Sequence, residues 1–189
     1  MGSAMEWHRR RFCENAWRYF VTLDGVYGTR PDLLPRSMVR VVRADQQGDR
    51  RLTWVGRPGV QLLNLEQHLR YERESLSHYP RSSDGAIAWG AVVDGLVLSS
   101  MESGSIELST VIQRFTPKAS SLIFFWESLT VPSVEMGLES SLSHLPDITE
   151  SVPELWVYSP GDRIVVESSF SGVVTVARIP VEADDQSPA

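Results

Sequence analysis

Two pairs of ionisable residues stand at spacings that could do chemistry. His68 and Glu72 are four apart, so on a helix both would project from one face and offer one edge of a metal site. Asp162 and Glu167 bracket a β-rich stretch that follows a turn, where two carboxylates could converge as an acid and base pair. Each has a plainer reading: a solvated helix face for the first, and turn solvation for Asp162. The remaining histidines, His8, His78 and His144, are scattered, and no two of the four histidines stand three or four apart. Cys13 is the only cysteine, which excludes an internal disulfide or a cysteine-rich metal site within one chain. A reactive thiol needs a neighbouring base or a helix N-terminus, whereas Cys13 lies inside an apolar helical pattern and reads as packing.

Longer signatures are absent. The chain carries no P-loop, nucleophile elbow, dinucleotide fingerprint, HExxH or EF-hand loop. The sequence therefore assigns no catalytic residue, no metal and no cofactor. "HRRRF" at 8–12, with Trp7 and Trp17 close by, could touch phosphates and stack on bases. A net charge of -6 and the lack of a reading motif argue against nucleic acid.

Charge divides unevenly along the chain. Residues 1–81 hold 14 Arg against 9 Asp and Glu, net +5, and residues 82–189 hold 4 Lys and Arg against 15 Asp and Glu, net -11. An acidic second half would attract a basic protein, unless folding interleaves the halves. With 42% apolar and 22% charged residues in 189, the chain can bury a core. Its apolar runs fall far short of the ~20 residues of a membrane span. No h-region follows the N-terminal arginines, and a cytoplasmic protein is expected.

The elements that would position these residues follow from periodicity. Phe12, Ala16, Tyr19 and Leu23 mark a helix over 6–23, closed by Asp24-Gly25. "YGTRPDLLP" reads as a loop, and "SMVRVVRA" and "RLTWV" as a hairpin around "DQQGD". Leu62, Leu65, Leu69 and Leu76 mark a second helix that ends before Pro80. "AIAWGAVV" and "LVLSS" flank Asp94-Gly95, a preferred dipeptide for a tight turn. This predicts a hairpin buried on both faces, with Gly90 at a bulge or at a close approach to the backbone.

"GSIELSTVIQRF" reads as a further strand. Thr116-Pro117 reads as the start of a helix over 117–129, for which Leu122, Phe125, Trp126 and Leu129 supply the spacing, with strand as the competing reading of "LIFFW". A short helix near 136–145 lies in a long loop. "ELWVY", "RIVVES" and "VVTVARI" form a three-stranded meander over 154–179. The expected architecture is α+β, a mainly antiparallel sheet with N-terminal, central and post-sheet helices packed on it. It forms one domain over 1–180, followed by a disordered acidic tail at 181–189.

The stretch "NLEQHLRYERESLSHYP…DGAIAWGAVVDGLVLSS" resembles the middle of the SUKH superfamily. There a helix leads into a strand bearing Trp-Gly, a short turn and a further strand. Trp89, Gly90, Asp94 and Gly95 carry the likeness, and "YGTRPDLLP" is similar to the family's early loop, so that about residues 10–129 are covered. The resemblance implies an α+β domain that recognises other proteins, often an immunity protein that neutralises a bacterial toxin, commonly a nuclease. The expectation is a non-enzymatic binding module for a basic toxin, with Asp94, Glu102, Glu107, Glu135 and Glu139 as contact candidates. The rivals are an enzyme that joins two of His68, His78, His144, Asp162 and Glu167 in one site, and a structural subunit with an apolar patch.

Overall fold

Strands are made here by apolar runs long enough to face two cores at once. The computed structural model describes residues 25–39, 42–46, 52–56, 59–83, 85–102, 107–152 and 154–180. The predicted helix over 6–23, with Cys13, His8, Trp7 and Trp17, and the acidic tail lie outside them. In chain order the elements are α1 (Arg36–Val39), β1 (Val42–Gln46), β2 (Leu52–Gly56), β3 (Val60–Leu62), α2 (Leu65–Glu74), β4 (Val97–Glu102) and α3 (Leu108–Phe115). Then come β5 (Ser121–Trp126), β6 (Val134–Gly137), α4 (Leu138–Ser151), β7 (Leu155–Ser159), β8 (Ile164–Ser168) and β9 (Val173–Arg178). β1 and β2 pair antiparallel as the expected hairpin does, but its first arm is displaced: residues 37–39 of "SMVRVVRA" lie in α1, and Asp45 and Gln46, expected in the turn, lie in β1.

The other seven strands form one antiparallel sheet in the order β3-β6-β5-β7-β8-β9-β4. The protein is α+β, with helices packed on the sheet. On the first face Leu122, Phe124, Trp126, Val157 and Val166 pack with Val111 and Ile112 of α3 and with Leu145 and Ile148 of α4. On the second, Ile123, Phe125, Trp156, Tyr158 and Val165 lie beneath Tyr71, Leu76, Tyr79, Ile87 and Trp89. Adjacent residues of β5 thus enter opposite cores, which is why "LIFFW" has no polar gap. The charge halves are interleaved, since β3 from the first half pairs with β6 from the second.

Three expectations are corrected. "LIFFW" is strand β5, not a helix over 117–129, because β6 and β7 pair with its two edges while the two cores cover its two faces. The helix lies one segment earlier, in "LSTVIQRF", which had read as a strand. Leu108, Val111, Ile112 and Phe115 meet the first core at i, i+3, i+4 and i+7. Thr116 ends this helix rather than starting the next: its N–H and its hydroxyl both donate to the Ile112 carbonyl at 2.8 Å. Pro117 then has no N–H with which to continue.

The third correction concerns Trp89-Gly90. It forms a short 3-10 turn, Trp89–Ala91, laid over the second face, so 86–100 is not a buried hairpin. Only its second arm is a strand, β4, which pairs with β9. Among the described residues nothing lies within 4 Å of a Cβ added at Gly90, so none of them approaches it closely.

α2 starts on a capping box. The Gln67 N–H donates to Asn64 Oδ1 and the Asn64 N–H to Gln67 Oε1, both at 2.9 Å. Leu62, expected on this helix, belongs to β3. The short helix expected near 136–145 runs on to Ser151 with Pro146 inside it. The three-stranded meander stands as expected in β7, β8 and β9.

Candidate functional site

β7 and β8 are joined by a four-residue turn, and their register sets Trp156 opposite Glu167. Glu167 is 4% exposed. The Trp156 Nε1–H donates to one of its oxygens at 2.7 Å, and Trp89, from the 3-10 turn above, donates to the other. Burial raises the Glu167 pKa above the usual carboxylate value, against the lowering effect of the two indoles and of Arg81. Tyr79 stacks obliquely on Trp89, with ring centroids 5.1 Å apart.

A second polar group lies between α2 and the connection leading into β6. His68 is 6% exposed, and its Nδ1 is 2.8 Å from the Ser133 hydroxyl. The Tyr27 ring lies 4.8 Å from the imidazole, and the Tyr27 hydroxyl donates to the Leu63 carbonyl and accepts the Ser133 N–H. Burial pushes the His68 pKa down to about 4, so the imidazole is neutral at physiological pH. Its Nε2 has no hydrogen-bond partner among the described residues and stands 4.0 Å from Glu72 Oε2. A hydroxyl on an imidazole is the beginning of a nucleophile and base pair. Ser133 and His68 are both buried, however, and Tyr27 binds the Ser133 backbone.

Among the described residues no hydrogen bond or ion pair joins any two of the five residues considered for catalysis. Asp162 staples the β7–β8 turn, accepting from the Lys118 N–H at 3.1 Å and the Ser159 hydroxyl at 2.8 Å. His78 sits in the 3-10 turn Leu76–His78, and His144 lies on α4. Among the described residues no cluster of three His, Cys, Asp or Glu could hold a metal, and no helix is long and apolar enough to cross a membrane.

β4 is the last strand of the sheet, and its single strand neighbour among the described residues is β9. Its side chains alternate, with Leu98, Ser100 and Glu102 outward. Before it, Val93 is 72% exposed beside Asp94, in a turn completed by Gly95 at φ +85°. At the far end Glu102 pairs with Val173, and the neighbouring β8–β9 turn carries Phe170, 77% exposed. The strip therefore offers two acids and three apolar side chains over about 20 Å.

The five acidic candidates do not form one patch. Asp94 and Glu102 flank this strip, and Glu107 stands at the N-cap position of α3 without a side-chain capping bond. Glu135 and Glu139 lie on and beside β6, five strand spacings or about 24 Å away. Glu135 is moreover engaged inside the fold: the Ser121 hydroxyl donates to it at 2.9 Å and Tyr71 lies at 3.5 Å. The partners Ser133, Tyr27, Arg81 and Trp156 were not singled out from the sequence. The register of the meander could have supplied Trp156.

Compared with known proteins, the chain matches no family model and no curated protein.

Proposed function

We propose that this chain is a non-catalytic binding module that receives a basic protein along the β4 edge. The observation that carries the reading is the run of outward Leu98, Ser100 and Glu102 on a terminal strand, with Val93, Asp94 and Phe170 at its ends. An edge strand offers main-chain donors and acceptors to an added strand, and alternate side chains supply selectivity. Asp94 and Glu102 favour a positively charged partner and would speed its capture at low salt. The buried state of His68, Ser133 and Glu167 supports binding over catalysis. The SUKH resemblance carries the reading further, to a cytoplasmic immunity or inhibitor protein whose partner is a basic toxin such as a nuclease.

A photoreactive phenylalanine analogue at Leu98 tests the edge, with Leu129 as control because both residues are 37% exposed. Crosslinking in extract of the host, followed by binding of the captured protein in isolation, should give a basic partner from position 98 and not from 129. The pair Asp94→Lys and Glu102→Lys should weaken that binding at least tenfold at low salt. Equal capture at both positions, or an affinity indifferent to salt and to these substitutions, overturns the reading.

A further inference from the structure

One cation on the second face lies over the ring of a tryptophan that is itself bonded to a buried carboxylate. Arg81 is exposed, and its Nη1 donates to the Gly85 carbonyl at 2.9 Å in a loop where Gly85 takes φ +90°. Its guanidinium carbon lies over the Trp156 ring, 6.0 Å from the centroid. The same indole donates to Glu167 of β8, whose pKa the charge of Arg81 lowers against the effect of burial. Among the described residues Arg81 stands in no ion pair within 4.0 Å.

We propose that Trp156 and Glu167 form a receiving site for a guanidinium or ammonium group of the basic partner, and that Arg81 occupies it when the partner is absent. Two indole N–H groups fix the orientation of the Glu167 carboxylate but cancel none of its charge, and a buried anion is costly without a counter-ion. The face of an indole attracts a cation, best of all the aromatic rings. Exchange of Arg81 for an incoming basic side chain leaves the local charge unchanged; among the described residues Arg81 gives up the Gly85 carbonyl and the face of Trp156.

The site also lies within reach of the proposed docking edge. Trp156, Glu167, Thr175 and Ser100 are neighbours in one row across β7, β8, β9 and β4. That row spans three strand spacings, about 14 Å. A partner covering about 800 Å² of surface would overhang it from the edge. The inference rests on the binding reading only for the origin of the basic group.

The test uses the full chain and Nα-acetyl-L-arginine amide as probe, with the indole N–H resonances of Trp89 and Trp156 followed by NMR. Arg81→Ala should show saturable shifts of both in the millimolar range, with the native chain at least tenfold weaker because Arg81 competes. Nα-acetylcitrulline amide, of similar shape but uncharged, should shift neither. Adding Glu167→Gln to Arg81→Ala should abolish the response; if that variant does not fold, Trp156→Phe in the same background, followed at Trp89, should weaken it at least threefold. Equal responses from native and Arg81→Ala chains, or an equal response to Nα-acetylcitrulline amide, overturn the proposal. No partner enters this experiment, so its failure is distinguishable from failure of the β4 reading, which the crosslink at Leu98 decides.

Discussion

Trp156 and Glu167 face each other across the β7–β8 ladder, and the indole of one donates to the carboxylate of the other at 2.7 Å. One donor therefore comes from the sheet, where the register fixes it. The second comes from Trp89, on a short turn that lies over the sheet. One buried carboxylate thus ties the turn ahead of β4 to the interior.

Removing the outer donor should cost more than the size of the change suggests. Trp89→Phe keeps much of the apolar cover but leaves one buried carboxylate oxygen without its N–H, a loss of about 1–3 kcal/mol. Glu167→Gln should lose a similar amount, because its NH2 would oppose an indole donor. Urea denaturation measures both. A loss below about 0.5 kcal/mol for each would mean that water replaces the indole freely.

His68 gives the fold an acid-sensitive contribution. Its folded pKa of about 4 lies below the ordinary 6.5, so in this window the unfolded chain binds the proton more tightly. The contribution is complete above 6.5 and is lost as pH falls toward 4, on the order of 3 kcal/mol at most. Glu72 and Glu167, whose pKa values burial raises, act in the opposite sense and favour the fold as pH falls. Comparing the native chain with His68→Gln isolates the histidine: the variant should lack this part of the decline between pH 6.5 and 4. Parallel curves would show that the imidazole is solvated.

Two glycines should respond oppositely to alanine. At Gly161 a new Cβ would meet the Lys118 carbonyl oxygen at 3.1 Å, and that backbone is already fixed by the Asp162 staple. Gly161→Ala should destabilise by about 1–2 kcal/mol. Gly90 has open space around it and an ordinary backbone angle, so Gly90→Ala should be neutral, or stabilising by up to about 1 kcal/mol through the unfolded chain. Thermal melts of the two variants compare them directly.

How much of this was legible in the sequence depends on whether local signals had rivals. The meander was, because Gly-containing turns separate three β-branched runs, and the β7–β8 turn already implies Trp156 opposite Glu167. β5 was misread because Leu122, Phe125, Trp126 and Leu129 fit a helical spacing by coincidence. A strand buried on both faces has no polar positions to contradict it. In 108–115 the opposite occurred: Leu108, Val111, Ile112 and Phe115 have the helical spacing, but Ile106, Leu108 and Val111 also suggest an alternation with one slip, which reads as strand. The Ser133–His68 contact spans 65 residues and leaves no local trace. Exposure of β4 was hidden because it depends on strand order, which no local pattern encodes.

The acids of the β4 edge should be separable from the stability of the fold. Asp94 and Glu102 are exposed, so reversing both charges should change unfolding free energy by no more than about 0.5 kcal/mol. The same pair should slow association with a basic partner, because steering acts before contact, while dissociation changes less. Raising the salt should slow the native chain toward the rate of the variant and leave the variant nearly unaffected. Stopped-flow association rates across a salt series measure this. If the variant instead dissociates faster with an unchanged association rate, these carboxylates are buried contacts rather than a steering field.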